Sequence, residues 1–222
     1  MPLLGDVLPA PVMWSELFDD PDEVTTFPEE DAAVSRAVPK RQREYRTVRH
    51  CARLALGSLG VAPAPILSGP KREPLWPEGV VGAMTHCAGY RGAAVARWAE
   101  VRSVGIDAEP HQALPDGVQA SVATDGETAQ LARLAVSHPT VHWDRLLFCA
   151  KEATYKAWFP LTRTWLGFED ADIRMDPDTR TFTSTLLVPG PLVDGERLGS
   201  FTGRWTVDAG LVLTAIVVLP AA

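Results

Sequence analysis

Between Lys40 and Leu59 the apolar residues Tyr45, Val48, Ala52, Ala55 and Leu59 recur at spacings of three, four, three and four. That is one stripe of an amphipathic helix over 40–59, with Arg46, Arg49 and Arg53 along its flank. Gly60 and Pro63 end it. A second helix is predicted over 141–159, where Trp143, Leu146, Leu147, Ala150, Ala153, Thr154, Ala157 and Trp158 make an apolar face, and a weaker one within 124–137. Strands are predicted over 80–84, 92–98 and 101–108, after a proline-rich loop at 63–77, and again over 182–188, 203–207 and 211–219. Residues 1–28 hold five prolines and are read as an irregular lead-in with one short helix near 14–18. The order helix, three strands, helix, three strands predicts an α+β chain. It reads as two pseudo-symmetric halves, 1–105 and 106–222, each a helix packed on a small antiparallel sheet.

Charge changes this picture locally. The 222 residues carry a net charge of −7, which argues against a nucleic-acid partner, since such binding neutralises many phosphates. Residues 1–31 hold nine acids and no base, whereas Lys40, Arg41, Arg43, Arg46, Arg49 and Arg53 face Glu44 alone in 40–53. An anion site on the first helix is therefore expected. Three widely spaced cysteines, Cys51, Cys87 and Cys149, form no metal or disulfide pattern and suit a reducing compartment. The start of the chain has no basic region followed by an apolar run, and the longest apolar stretch, 211–219, is shorter than the ~20 residues a membrane helix needs. The expectation is a soluble, cytoplasmic protein with no membrane partner.

Three short stretches carry candidate chemistry. In Gly105-Ile-Asp107-Ala-Glu109 the two carboxylates point to the same face of a strand. Hard oxygen donors placed that way suit Mg²⁺, although two ordinary surface acids would look the same. In the stretch from Phe148 to Lys156, the wheel places Phe148, Lys151, Glu152, Tyr155 and Lys156 opposite the apolar face. Glu152 and Lys156 could be a plain surface pair at i,i+4. Yet the chain has four lysines beside 17 arginines and spends two of them here, which favours phosphate contact. Thr85 and His86 close a strand and could hold a phosphate or cap a loop. No serine-hydrolase elbow, zinc-protease helix or P-loop motif is present.

Taken in order, Thr85-His86, then Val104-Gly-Ile-Asp-Ala-Glu109, then Phe148-Cys-Ala-Lys-Glu-Ala-Thr-Tyr-Lys156 resembles the Sfp/EntD-type 4′-phosphopantetheinyl transferases. The likeness runs over about residues 36–220 and is strongest with an actinobacterial subgroup. It implies two α+β halves with the active site in the cleft between them. The N-terminal half would supply nucleotide contacts, and the C-terminal half the metal and catalytic groups. The implied activity moves the phosphopantetheine arm of coenzyme A onto a serine of an acyl or peptidyl carrier protein, releasing 3′,5′-adenosine bisphosphate.

Carried over by position, Asp107, Glu109 and Glu152 would hold Mg²⁺, with Mn²⁺ as a substitute. Glu152 would take the serine proton. Lys156 and Lys151 would hold the pyrophosphate, and His86 would meet a coenzyme A phosphate. Arg41 and Arg49 would grip the 3′-phosphate, with Lys71 and Thr85 near the nucleotide. Tyr155, Phe168 and the Trp165 loop would cover the arm or meet the carrier, and the family's design implies a monomer. Arg72 stands where relatives often have glycine, Ser68 where close relatives have lysine, and Ala83 where serine is common. The same motifs would also serve a coenzyme A-binding regulator or a pyrophosphate-cleaving hydrolase. Arg43 and Arg46 are candidates to meet an acidic carrier. The nine acids of 1–31 have no assignment, folding back on the basic helix being one option.

Overall fold

The computed structural model describes residues 2–24 and 26–221. The lead-in contributes α1 (Leu4–Val7), β1 (Met13–Leu17) and α2 (Pro28–Val34). The basic helix is α3 (Pro39–Ser58), which starts on a proline at its first position and lies across β1 and β3. Then come β2 (Val80–Cys87), β3 (Tyr90–Arg97), β4 (Ser103–Pro110), α4 (Val118–Val122), α5 (Asp125–Ser137) and α6 (Trp143–Thr162). The remaining strands are β5 (Ala171–Asp176), β6 (Thr181–Leu186), β7 (Leu192–Val193), β8 (Glu196–Arg197), β9 (Ser200–Asp208) and β10 (Leu211–Val218).

The α+β class is as the pattern predicts, but the strands are shared differently. The N-terminal sheet has the order β1-β3-β2, and the C-terminal sheet runs β4-β10-β9-β6-β5, with all these neighbours antiparallel. The segment at 14–18, expected as a helix, is the edge strand β1, which pairs with Arg91–Val95 of β3. The strand expected over 101–108 in the first half pairs with β10 along its whole length. The 105/106 division therefore falls inside β4, a strand of the second sheet. The helix α6 continues past Pro160, which removes only the donor to one carbonyl in the final turn.

Two contacts position the cleft. β4 runs beside β2, so the two sheets meet there. α6 lies on β4 at very close range, which Gly105 makes possible. A β-carbon at that position would sit 2.0 Å from the Ala153 carbonyl oxygen and 2.7 Å from the Ala157 amide nitrogen. Behind these contacts the core is apolar on both sides, with Leu146, Leu147, Ile173 and Ile216 under α6, and Cys51, Ala52, Leu56 and Ile66 under α3.

The acidic lead-in folds back on the basic helix. Glu30, fully buried, accepts from Arg53 at 2.6 Å and from the Ile66 amide at 2.8 Å. Asp31 accepts from Arg46 at 2.7 Å, so Arg46, a candidate to meet a carrier, is occupied within the chain. Asp20 takes both Nε and Nη2 of Arg91, at 2.9 and 2.6 Å. Glu16 accepts from the Leu3 and Leu4 amides and from the Tyr90 hydroxyl. The lead-in thus pairs Arg46 and Arg53 of α3, whereas Arg41 and Arg49 line the cleft. All three cysteines are free thiols.

Candidate active site

A cleft of about 1050 Å³ opens between the halves, lined among others by Arg41, Arg49, Lys71, Thr85, His86, Asp107, Glu152 and Lys156. Its floor is Asp107 on β4, buried beside β2. Asp107 Oδ1 accepts from Lys156 Nζ at 2.7 Å and from the Thr85 hydroxyl at 3.1 Å. Thr85 in turn accepts the Ala108 amide at 3.1 Å, so one hydroxyl fixes both the strand and its carboxylate. Lys156 also donates to the Ile106 carbonyl at 3.1 Å. Burial alone would depress the Lys156 pKa, but the Asp107 carboxylate and its hydrogen bond, with Glu152, hold it above the usual value. The ammonium is therefore a permanent cation at the cleft floor.

Glu152 lies one helical turn before Lys156 and has no hydrogen bond or ion pair among the described residues. Burial raises its pKa, Lys156 opposes that, and Asp107 adds to it. A carboxylate shifted upward in this way is a stronger base than a solvated one. The plain i,i+4 surface pair, the alternative reading of Glu152 and Lys156, is not formed, and Lys156 pairs with Asp107 instead.

The donors suit a hard cation only in part. Asp107 Oδ2 is buried with no partner, and Glu152 is unpaired in the same cleft. These two oxygens match the one or two carboxylates that Mg²⁺ takes alongside phosphate and water. Glu109 departs from the expected set of three. Its Oε2 is held by Arg145 Nη1 at 3.0 Å, and it does not line the cleft. No three acidic, histidine or cysteine side chains gather as a metal cluster among the described residues. The sequence contains no signal for this, because Arg145 reaches back from α6 across 36 positions.

The opposite wall is cationic. Arg49 is buried, stacks 3.2 Å above the Tyr45 ring and donates to the Ile66 carbonyl at 2.7 Å and to Ser68 Oγ at 3.1 Å. Burial lowers its pKa to about 10, so it stays charged near neutral pH. Arg41 contacts His86 Nε2, and His86 Nδ1 faces Glu44 at 3.6 Å. Burial first, and then Arg41, Lys156 and Arg91, push His86 down to about 4. His86 is therefore neutral, accepting at Nε2 and carrying its proton toward Glu44. Lys71 and Arg72 are exposed on the loop at the cleft rim.

Lys151 is not in the cleft. It is buried, pairs with Glu127 at 2.9 Å and donates to the carbonyls of Phe168 and Ala171 at 2.5 and 2.8 Å. The expected pyrophosphate contact is corrected accordingly: this face of α6 packs into the C-terminal half. Tyr155 does border the cleft and packs on Trp165 at 5.0 Å, while Phe168 packs on Phe148. Sequence reasoning missed the far end of the cleft, where Trp98, Arg102, Leu192 and Asp194 line the wall.

Arg72 has φ +68, a left-handed conformation that glycine adopts freely. A glycine, which the family resemblance implies at this position, would fit that geometry without strain. Arg72→Gly is expected to stabilise the chain by about 1 kcal/mol, read as a rise in Tm of roughly 2–4 °C. An unchanged or lower Tm would contradict a strained loop.

Two family descriptions match the chain: a 4′-phosphopantetheinyl transferase N-terminal domain over residues 29–96, and the 4′-phosphopantetheinyl transferase superfamily over residues 103–207. The chain belongs to the 4′-phosphopantetheinyl transferase superfamily and is an enzyme of that type. It is 55% identical over 223 residues to the 4′-phosphopantetheinyl transferase PptT of Mycobacterium tuberculosis, covering 97% of either chain. It is 55% identical to the Svp enzyme of Streptomyces mobaraensis, over 97% of this chain and 89% of that one. To the Npt enzyme of Nocardia iowensis it is 49% identical, over 96% and 99%. Among the described residues no helix is long and apolar enough to cross a membrane.

Proposed function

We propose that the cleft binds coenzyme A between its two walls and delivers the 4′-phosphopantetheine group to a serine of an apo acyl or peptidyl carrier protein. The observation that carries this reading is the pairing of a free carboxylate, Glu152, with the fixed cation Lys156, across from Arg41, Arg49 and His86. Arg41 and Arg49 take the 3′-phosphate, and Lys71 and Thr85 sit near the nucleotide. His86 donates its single ring N–H to a phosphate oxygen once that proton turns from Glu44, and Lys156 neutralises the pyrophosphate. The serine Oγ attacks the phosphorus that carries the pantetheine arm. Its proton passes to Glu152, and the P–O bond to the adenosine side breaks. The electron pair leaves with 3′,5′-adenosine bisphosphate.

Such a transfer depends on position and on charge neutralisation, which the cationic wall and Lys156 supply. Asp107 and Glu152 would hold Mg²⁺ or Mn²⁺, with Glu109 joining only if it leaves Arg145. A divalent ion bound there supplies charge stabilisation at the pyrophosphate oxygens. Because one chain supplies both walls, a monomer is the working unit, and its three free thiols suit the cytoplasm.

The test is mass spectrometry of apo-carriers, both acyl and peptidyl, incubated with coenzyme A, Mg²⁺ and the protein. A phosphopantetheine adduct on the serine is expected. Several unmodified carriers would overturn the reading, and free phosphopantetheine formed without a carrier would point to water as the nucleophile. Arg49→Ala is expected to raise the coenzyme A KM about 10–100-fold with a small change in kcat, since it removes charge-assisted contacts to one phosphate. A matching fall in kcat would place Arg49 in the chemical step instead.

A further inference from the structure

The loop at the cleft rim contains an acid with no assigned role. Residues 69–73 form a tight hairpin. The Gly69 amide donates to the Glu73 carbonyl at 2.8 Å, and the Arg72 amide donates to the Gly69 carbonyl at 2.9 Å. The Glu73 carboxylate turns into this hairpin, where Oε2 accepts the Lys71 amide at 2.9 Å. It packs directly on Gly69, where an added β-carbon would lie 2.3 Å from Glu73 Oε1 and would push the carboxylate aside. The same Oε1 faces Arg163 Nη1 at 3.9 Å. Arg163 is the left-handed residue, φ 58, that closes α6, and its amide donates to the Phe159 carbonyl at 2.8 Å. Glu73 is mostly enclosed, with 17% of its side chain exposed against 68% for Arg163, and both line the cleft.

An acid at this place is unexpected on charge alone, since the cleft is read as a polyanion site and Glu73 repels its ligand. We propose that Glu73 is a positioning residue for coenzyme A. It braces from within the hairpin that presents Lys71 and Arg72, and ties that hairpin to Arg163 at the end of the helix carrying Glu152 and Lys156. The nucleotide loop and the pyrophosphate helix are thereby held at one spacing across the cleft. Lys71 and Arg72 make no ion pair among the described residues, so their placement depends on the backbone that Glu73 braces. The proposal rests on the reading of the cleft as the coenzyme A site.

The sign of the effect separates this role from a purely electrostatic one. If Glu73 acted only through its charge, removing it would tighten coenzyme A binding. A brace predicts weaker binding. The experiment measures coenzyme A Kd by calorimetry and steady-state KM for coenzyme A and for an apo-carrier on which the wild-type chain is active. Glu73→Ala is expected to weaken coenzyme A about 10-fold, and Arg163→Ala about 3-fold, with carrier KM and kcat unchanged. Glu73→Gln keeps an acceptor for the Lys71 amide and should fall between wild type and Glu73→Ala. The double variant Glu73→Ala/Arg163→Ala should be no worse than Glu73→Ala alone.

Tighter or unchanged coenzyme A binding in Glu73→Ala and Glu73→Gln overturns the proposal, as does strict additivity in the double variant. If Glu73→Ala does not fold, Glu73→Gln and Arg163→Ala decide it in the same way. Failure of the wild-type chain to modify any carrier refutes the coenzyme A reading itself. Active wild type with unaffected variants refutes only the brace.

Discussion

Replacing Glu152 by glutamine is expected to reduce transfer to a carrier serine by about 10²–10⁴-fold, the span that general bases contribute. The substitution keeps size and removes both the charge and the proton-accepting oxygen pair. Coenzyme A affinity measured with a chelator present should change little, because Lys156 stays fixed on Asp107 and the cationic wall is untouched. The loss should therefore appear in kcat, measured under saturating coenzyme A and carrier. Folding is not expected to suffer. Burial disfavours the charged form of Glu152, and no hydrogen bond or ion pair among the described residues is broken by the exchange. With a chelator present, the Tm of the variant should equal or exceed that of the wild type. Sites that give up stability for chemistry behave in this way. Wild-type turnover in the glutamine variant would remove Glu152 from the proton transfer, and a lower Tm with lost coenzyme A binding would make it a structural residue.

Much of this site could be read along the chain, because its parts sit on elements with strong local patterns. The spacing of Tyr45, Val48, Ala52 and Ala55 marks α3, and the apolar face from Trp143 to Trp158 marks α6, so the cationic and catalytic side chains fall on known helices. The rest depends on partners that leave no local trace. Residues 103–108 of β4 are buried without a break, so there was no in–out alternation to say which sheet the strand joins. Its partner β10 lies about a hundred positions away. Over residues 13–17 the chain is too short to separate a period of 2 from one of 3.6, and Trp14 with Phe18 imitates a helical pair. Glu109 and Asp107 are equivalent in the local motif, and only the fold brings Arg145 onto Glu109. The lead-in acids were visible as charge but not as specific partners for Arg46, Arg53 and Arg91.

Lys151 is the residue for which a sequence motif and the fold disagree most, and its removal should produce the largest loss of stability. Its ammonium is enclosed, with 2% of the side chain exposed, against the fully enclosed Glu127 carboxylate. Glu127 has further duties: it accepts the Thr124 amide at 2.8 Å in the capping box of α5, and the Ile173 amide at 2.6 Å on β5. Lys151 adds the carbonyls of Phe168 and Ala171, so one cation joins α6, α5 and the segment leading into β5. Lys151→Met keeps the packed length of the side chain but leaves Glu127 as a buried charge without its cation. Breaking such a pair on one side costs about 3–5 kcal/mol. The double variant Lys151→Met/Glu127→Gln should recover most of that loss, because the stranded charge is gone. Urea unfolding of the wild type and these two variants measures both quantities. Below the unfolding transition, folded Lys151→Met should bind coenzyme A as wild type does, whereas Lys156→Met should not. If Lys151→Met instead leaves stability intact and weakens coenzyme A binding as much as Lys156→Met, Lys151 belongs to the pyrophosphate site after all.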